Sequence, residues 1–106
     1  MSPEGELILF YASNLYLQGH LLEALKVIED FGLVVDRDRW LRANLLKLNG
    51  IVLENCERHA DAVRTFKAAE SVFKELNNTH GQALCILSVG YLKFKNARVF
   101  RKSRGE

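Results

Sequence analysis

The residues of this chain best suited to chemistry are two cysteines and three histidines, and their spacing indicates no site. Cys56 and His59 have the Cys-x-x-His spacing of half a zinc site, but zinc takes three or four protein ligands. His20 and His80 fall in predicted turns, and Cys85 lies in an apolar helical pattern, where a thiol stays protonated and unreactive. The sequence therefore predicts no metal site.

Motifs for catalysis are equally weak. No Gly-rich segment precedes a Lys-Ser or Lys-Thr pair, so the sequence offers no phosphate-binding loop. Glu70 and Lys74 are four residues apart, a spacing typical of salt bridges on a solvated helix face. We therefore predict that the protein is not an enzyme and uses no cofactor.

Length and charge narrow the class of protein further. The 106 residues are enough for one domain, residues 1–106, and 48% of them are apolar, as in ordinary globular proteins. Residues 1–92 carry nine basic and twelve acidic side chains, whereas residues 93–106 carry six basic and one acidic. The overall charge of +2 is too small to indicate a nucleic-acid or membrane partner. The basic end is therefore a local feature.

The sequence also indicates a compartment. No segment approaches the roughly eighteen apolar residues of a membrane span. The apolar residues 7–12 follow Glu4 and Glu6, whereas a secretory leader would place basic residues there. Cys56 and Cys85 lie inside helical patterns and are expected to be free thiols. These features predict a cytoplasmic, reducing setting.

Apolar residues recur at helical spacing in five segments, and none alternates long enough for a strand, so the fold class is predicted to be all-α. Gly19 suits the residue that ends the first helix. Either Asp36 or Asp38 would cap the third, and Thr79 with Gln82 has the spacing of a capping box for the fifth. The predicted helices cover about residues 6–17, 21–30, 36–55, 59–76 and 79 to at least 94.

Two of these segments repeat two others. A shift of 38 residues superimposes Ala24 on Ala62, and a shift of 40 superimposes Gly50 on Gly90. The same shifts superimpose Leu25 on Val63, Ile28 on Phe66, Ala43 on Ala83, Leu46 on Ile86 and Val52 on Leu92. A period near forty with two helices per period predicts a helical solenoid. Its repeats would cover about residues 6–31, 36–76 and, in part, 79–103.

The small residues in this repeat have a mechanical role. Helix axes approach to about 8–10 Å only where the side chains at their crossing are small. Ala12, Gly50 and Gly90 share one phase of the first helix of each unit, so we expect each to lie at a close crossing. The apolar face of the first helix is predicted to consist of Leu7, Ile8, Tyr11, Ala12 and Leu15.

At these positions the chain resembles the tetratricopeptide repeat (TPR) family, in its longer form of about forty residues. The motif residues are Ala12, Leu15, Gly19, Ala24 and Ile28 in the first unit, Leu46, Gly50, Leu53, Ala62, Phe66 and Ala69 in the second, and Ile86 and Gly90 in the third. The chain departs from the motif at Glu57, where glycine is expected, and at Asn49, where an apolar residue is expected. The resemblance covers about residues 6–94 and implies a right-handed α-solenoid of about 2.5 repeats that binds other proteins.

In such an array the first helix of each pair lines a concave groove, and its non-core phases face the ligand. The predicted binding residues are Phe10, Ser13 and Leu17 in the first unit, Asn44, Lys47, Ile51 and Asn55 in the second, and Leu87, Ser88, Tyr91 and Lys95 in the third. Glu6 and Leu84 share these phases. A phase error of one residue would instead place several of them in the core. An apolar row with polar residues between suits an extended peptide or an amphipathic helix of a partner protein.

Two alternatives concern the last helix. The basic residues Lys93, Lys95, Arg98, Arg101, Lys102 and Arg104 would contact nucleic acid, or they would simply be solvated near a helix C-terminus. The fifth helix has no partner helix after it and is expected to expose Ile86, Val89 and Leu92. A neighbouring repeat, the ligand or a second copy of the chain would cover this edge, and the last case would make the protein a structural homodimer. Because solenoids need about three units, we also expect the chain to be a segment of a larger protein.

Overall fold

The computed structural model describes residues 3–32 and 38–103, with side chains over residues 3–31 and 38–95. Its helices are α1 (Pro3–Leu17), α2 (Leu21–Gly32), α3 (Arg39–Asn55), α4 (His59–Glu75) and α5 (Thr79–Ser103). The all-α prediction is confirmed for this described part. Helix α1 begins three residues earlier than predicted, because proline is well tolerated at the first position of a helix.

The three tight turns within the described residues have the same backbone geometry. Gly19, Glu57 and Asn77 each adopt a positive φ, at 82°, 62° and 56°. In each turn the next N–H bonds back five residues: His20 to the Leu15 carbonyl at 2.8 Å, Arg58 to Leu53 at 3.0 Å, and Asn78 to Phe73 at 2.9 Å. This is the Schellman arrangement that satisfies free carbonyls at a helix end. The predicted role of Gly19 is confirmed.

Side-chain caps fix the starts of two helices. The Asp38 carboxylate accepts a hydrogen bond from the Leu41 N–H at 3.0 Å and caps α3, whereas Asp36 lies outside the described residues. At α5 the Asn78 side chain accepts from the Gly81 N–H at 2.9 Å. The prediction that Thr79 caps this helix was wrong. Asn77, the left-handed residue that ends α4, directly precedes Asn78. The N-cap of α5 is therefore Asn78, one residue before Thr79.

The helices pack in chain order into a compact globule. Each helix contacts the next, the α3–α4 interface is the most extensive, and α1 also reaches α3. Ala12, Ala24 and Ala62 are fully buried. A Cβ on Gly50 would lie only 2.9 Å from the Phe66 ring, so these two helices touch where the sequence placed a small residue.

Gly90 does not lie at such a crossing, although the repeat predicted one. A Cβ on Gly90 would have nothing within 4 Å. Among the described residues, no helix packs on this side of α5 in the way that α4 packs on α3.

The predicted apolar faces of the two end helices also need correction. Leu7 and Tyr11 of α1 are exposed, because the described neighbours α2 and α3 cover only the opposite side of this helix. On α5, Ile86 is exposed as predicted, but Val89 packs against the core and Leu92 is fully buried. The buried face of α5 therefore includes Leu92 and is rotated about the helix axis relative to the predicted one.

None of the described helices combines the length and hydrophobicity needed to cross a lipid bilayer.

Candidate functional site

The predicted binding residues lie on α1, α3 and α5, and none of them is buried. The large apolar members of the end helices are strongly exposed: Phe10 by 67%, Leu17 by 77%, Leu87 by 68% and Tyr91 by 57%. Ile51 is half-buried and packs against the core. That these residues form a binding surface stays a prediction.

Several polar members are held against their own helices. The Asn44 amide donates to the Trp40 carbonyl at 2.9 Å, and the Asn55 amide donates to the Ile51 carbonyl at 2.8 Å. The Ser88 hydroxyl likewise donates to the Leu84 carbonyl at 2.8 Å. These local bonds fix the orientation of each side chain, which lowers the entropy lost when a ligand binds.

The helices that carry these residues differ in how they contact one another. Helix α1 packs directly on α3, whereas α3 and α5 each pack on α4, which lies next to both. A single groove along α1, α3 and α5 stays a prediction.

Cys85 itself is a structural residue. It has no exposed surface, and this burial raises the pKa of its thiol; the charge of Lys47 partly opposes the shift and that of Glu70 adds to it. The thiol is therefore protonated at neutral pH, where it is a poor nucleophile and metal ligand.

A cavity of about 320 Å³ lies between α2, α3 and α4. Two arginines at its edge, Arg58 and Arg64, both bind the Asp61 carboxylate, and these contacts, first the hydrogen bond from Arg58, lower the pKa of Asp61. With Glu29 also present, the charges balance, so the cavity is not suited to an anion. Its lining residues are Leu25, Glu29, Leu46, Asn49, Leu53, Arg58, Asp61, Arg64, Thr65 and Ala68.

Asn49 in this cavity is a feature that sequence reasoning only partly identified. Its Oδ1 atom is buried and has no hydrogen-bond partner in the described part of the chain. An unpaired buried amide oxygen costs about 1–3 kcal/mol. The repeat pattern had marked Asn49 as polar at an apolar position, which was the available signal.

The Cys-x-x-His pair does not form part of a larger cluster. His59 Nε2 lies 2.9 Å from the Glu57 carboxylate, and both Cys56 and Cys85 are free thiols. Within residues 3–31 and 38–95, no three His, Cys, Asp or Glu side chains are grouped as metal ligands.

A further exposed apolar surface lies on α5 and was not predicted as a whole. We call it the outer face of α5 and define it by Ala83, Ile86, Gly90 and Phe94, all of which are exposed. The forty-residue shift could have identified it, because it matches three of these residues with Ala43, Leu46 and Gly50 of α3, the last of which lies against Phe66 of α4.

Comparison of the chain with protein-family profiles, with curated proteins and with solved structures finds no match.

Proposed function

We propose that this chain is a non-catalytic module of stacked helix pairs, about 2.5 repeats of a right-handed solenoid, that binds another protein. Three features support this architecture: packing in chain order, the shared geometry of the three described turns, and the close contact of Gly50 with Phe66. Stacked pairs of this kind form extended surfaces made of alternate helices, and such surfaces bind peptides.

The observation that carries the binding proposal is the exposure of large apolar side chains at the predicted groove phases. Phe10 and Leu17 on α1, and Leu87 and Tyr91 on α5, are more than half exposed. Contiguous exposed apolar patches usually mark interaction sites, and aromatic residues are frequent hot spots. Helix α1 packs on α3, and in the proposed groove Lys47 and Asn44 of α3 supply polar groups between the two ends.

The ligand that best suits this surface is an extended peptide or an amphipathic helix with two apolar anchors. Ser13, Asn55 and Ser88 offer neutral hydrogen-bonding groups, and Lys47 and Lys95 offer positive charge. These two lysines are too few for a ligand recognised mainly through its negative charge. Apolar anchoring is therefore expected to dominate the affinity.

Affinity capture from a cell lysate tests this proposal. The wild-type chain is compared with a Phe10→Ser/Tyr91→Ser variant, and bound proteins are identified by mass spectrometry. Because both side chains are exposed, the variant should keep the helical content seen by circular dichroism. It should lose most of the captured partner, since each hot-spot anchor contributes about 2 kcal/mol or more.

Leu22→Ser provides the matched control. Leu22 is 78% exposed but lies on α2, which is a second helix of a pair and does not face the proposed groove. This variant should capture the partner as the wild type does. Equal capture by the double variant, or equal loss in the Leu22 variant, would overturn the groove assignment.

The cellular compartment that we propose follows from the two cysteines. Two free thiols, one of them half-exposed, fit a reducing compartment such as the cytoplasm. Nucleic-acid binding and homodimerisation stay predictions: Lys93 is exposed and Lys95 half-buried, whereas the side chains of Arg98, Arg101 and Lys102, and all of Arg104, lie outside the described residues.

A further inference from the structure

The α3–α4 pair shows how this chain covers a helix face built around a glycine. On α3, Ala43 and Leu46 lie two turns and one turn before Gly50, on the same face. Ala43 is fully buried, Leu46 packs against the core, and the Phe66 ring of α4 sits against Gly50. A helix with an aromatic residue over the glycine therefore fits this face.

The outer face of α5 has the same residues without the cover. Ala83, Ile86 and Gly90, forty residues after their counterparts on α3, are exposed, with Ile86 at 50%. The opposite face is buried in both helices, since Cys85 and Leu92 match Leu45 and Val52. Phe94 extends the outer face by one further turn. An apolar surface shaped for a helix is thus left open to solvent.

The charge of α5 indicates what kind of helix fits. Residues 79–103 include no Asp or Glu, and their basic residues are Lys93, Lys95, Arg98, Arg101 and Lys102. Lys93 occupies the position of Leu53, whose carbonyl bonds to Arg58 just before α4 begins. A helix docked in the same way would begin beside Lys93. Carboxylates in its first turn would be favoured by that lysine and by the helix N-terminus.

We propose that the outer face of α5 binds an amphipathic helix of a partner protein, antiparallel to α5, with an aromatic residue over Gly90 and carboxylates in its first turn. A second copy of this chain is the weaker occupant. Another α5 would bring a second Lys93 and no carboxylate to this face, and like charges oppose such contact. The proposal does not depend on the groove, although the two surfaces adjoin on α5: Leu87 is four residues from Ala83, and Tyr91 is three residues from Phe94.

The probe for this proposal is a fluorescein-labelled synthetic peptide of residues 57–76 with Arg58→Glu and Arg64→Glu, called the acidic α4 peptide. Its parent segment packs on α3, where Arg58 and Arg64 line the same cavity as Leu53, the counterpart of Lys93. The first substitution places a carboxylate at the N-terminus of the helix, and the second places one in the next turn. Fluorescence anisotropy is recorded while the full chain is titrated in. We expect saturable binding with a Kd on the order of 10 µM, weakened several-fold by raising the salt from about 0.05 to 0.5 M.

Gly90→Leu is the decisive variant of the full chain. Nothing lies within 4 Å of a Cβ at this position, so the chain should fold normally, but the new side chain occupies the space of the incoming ring. We expect affinity for the acidic α4 peptide to fall about tenfold or more. Phe66→Ala in the peptide should cause a similar loss. Leu22→Ser on α2 and Phe10→Ala on α1 should leave the affinity of the full chain unchanged, and the second of these separates this surface from the proposed groove.

Several results would overturn the proposal. One is equal affinity of the wild-type and Gly90→Leu chains; another is absence of binding up to about 1 mM. Equal binding by the peptide without the two added glutamates would remove the requirement for carboxylates. If sedimentation instead shows a dimer that Ile86→Glu converts to a monomer, the occupant is a second copy of the chain.

Discussion

The three described turns between helices have the same backbone conformation but a different residue type at the left-handed position. Gly19, Glu57 and Asn77 occupy equivalent positions with positive φ. Glycine adopts this conformation freely, asparagine does so with modest strain, and a residue such as glutamate pays about 1–2 kcal/mol. Glu57 is thus a strained position inside the most extensive helix pair of the molecule.

We predict that Glu57→Gly stabilises the protein by about 1 kcal/mol, because the relief of strain exceeds the entropy that glycine adds to the unfolded chain. Urea denaturation followed by circular dichroism measures the change in the free energy of unfolding. Glu57→Ala is the matched control: it also removes the exposed contact with His59 but keeps the Cβ. A glycine variant no more stable than the alanine variant would show that strain is absent.

The sequence predicted turn and cap residues correctly where only one residue type suits the backbone conformation. It predicted them wrongly where two adjacent residues could both act as the N-cap. Gly19 was assigned correctly because few residues other than glycine favour positive φ. The repeat shift then placed Glu57 in the same position, although its type gave no sign of it. Thr79 was assigned as a cap because its spacing to Gln82 fits a capping box. Asn78 is an equally good cap, and the geometry of the preceding turn decides between them.

At the level of whole helices, identical sequence positions have opposite surroundings. Gly50 lies against the Phe66 ring, whereas the space beside Gly90 is open. The same substitution should therefore have effects of opposite sign. Gly50→Ala should destabilise the protein by about 2 kcal/mol, because the added methyl group overpacks the contact between α3 and α4. Gly90→Ala should stabilise it by about 1 kcal/mol through helix propensity alone.

Thermal and urea denaturation of both variants, made in the same background, measure these two changes. The comparison controls for helix propensity, since both sites are glycines inside helices. Destabilisation by both substitutions would indicate that Gly90 is covered in solution, for example by a second copy of the chain, and a change of the midpoint with protein concentration would identify that case.

The sequence of a helix could not predict whether its apolar face is exposed or buried. Leu7 and Tyr11 were assigned to the core because their spacing is that of an apolar face, and the same pattern occurs on the outer face of α5. Periodicity reports that a face is apolar, but the neighbouring elements decide whether it is buried.

Gly81 is a close helix contact that the repeat did not predict. A Cβ at this position would lie 2.5 Å from the Phe73 ring.

At the scale of the molecule, packing in chain order makes stability uneven. Helix α4 contacts both α3 and α5 extensively, whereas α1 and α2 share smaller interfaces. The largest fully buried side chains, Phe66 and Phe73, both belong to α4. In an array whose units contact mainly their neighbours, the end elements open at lower free energy than the middle.

Native-state hydrogen exchange should therefore show a gradient, with the slowest amides in α3 and α4 and the fastest helical amides in α1. Phe66→Leu should accelerate exchange in α3 and α4 most, because the smaller side chain leaves a cavity against Gly50. Leu22→Ala, at an exposed position of α2, should leave the protection of α3 and α4 as it is in the wild type. If the amides of all five helices were equally protected from exchange, and the Phe66 variant lost this protection uniformly, the helices would unfold as one unit. Such cooperativity would favour a closed bundle over stacked pairs.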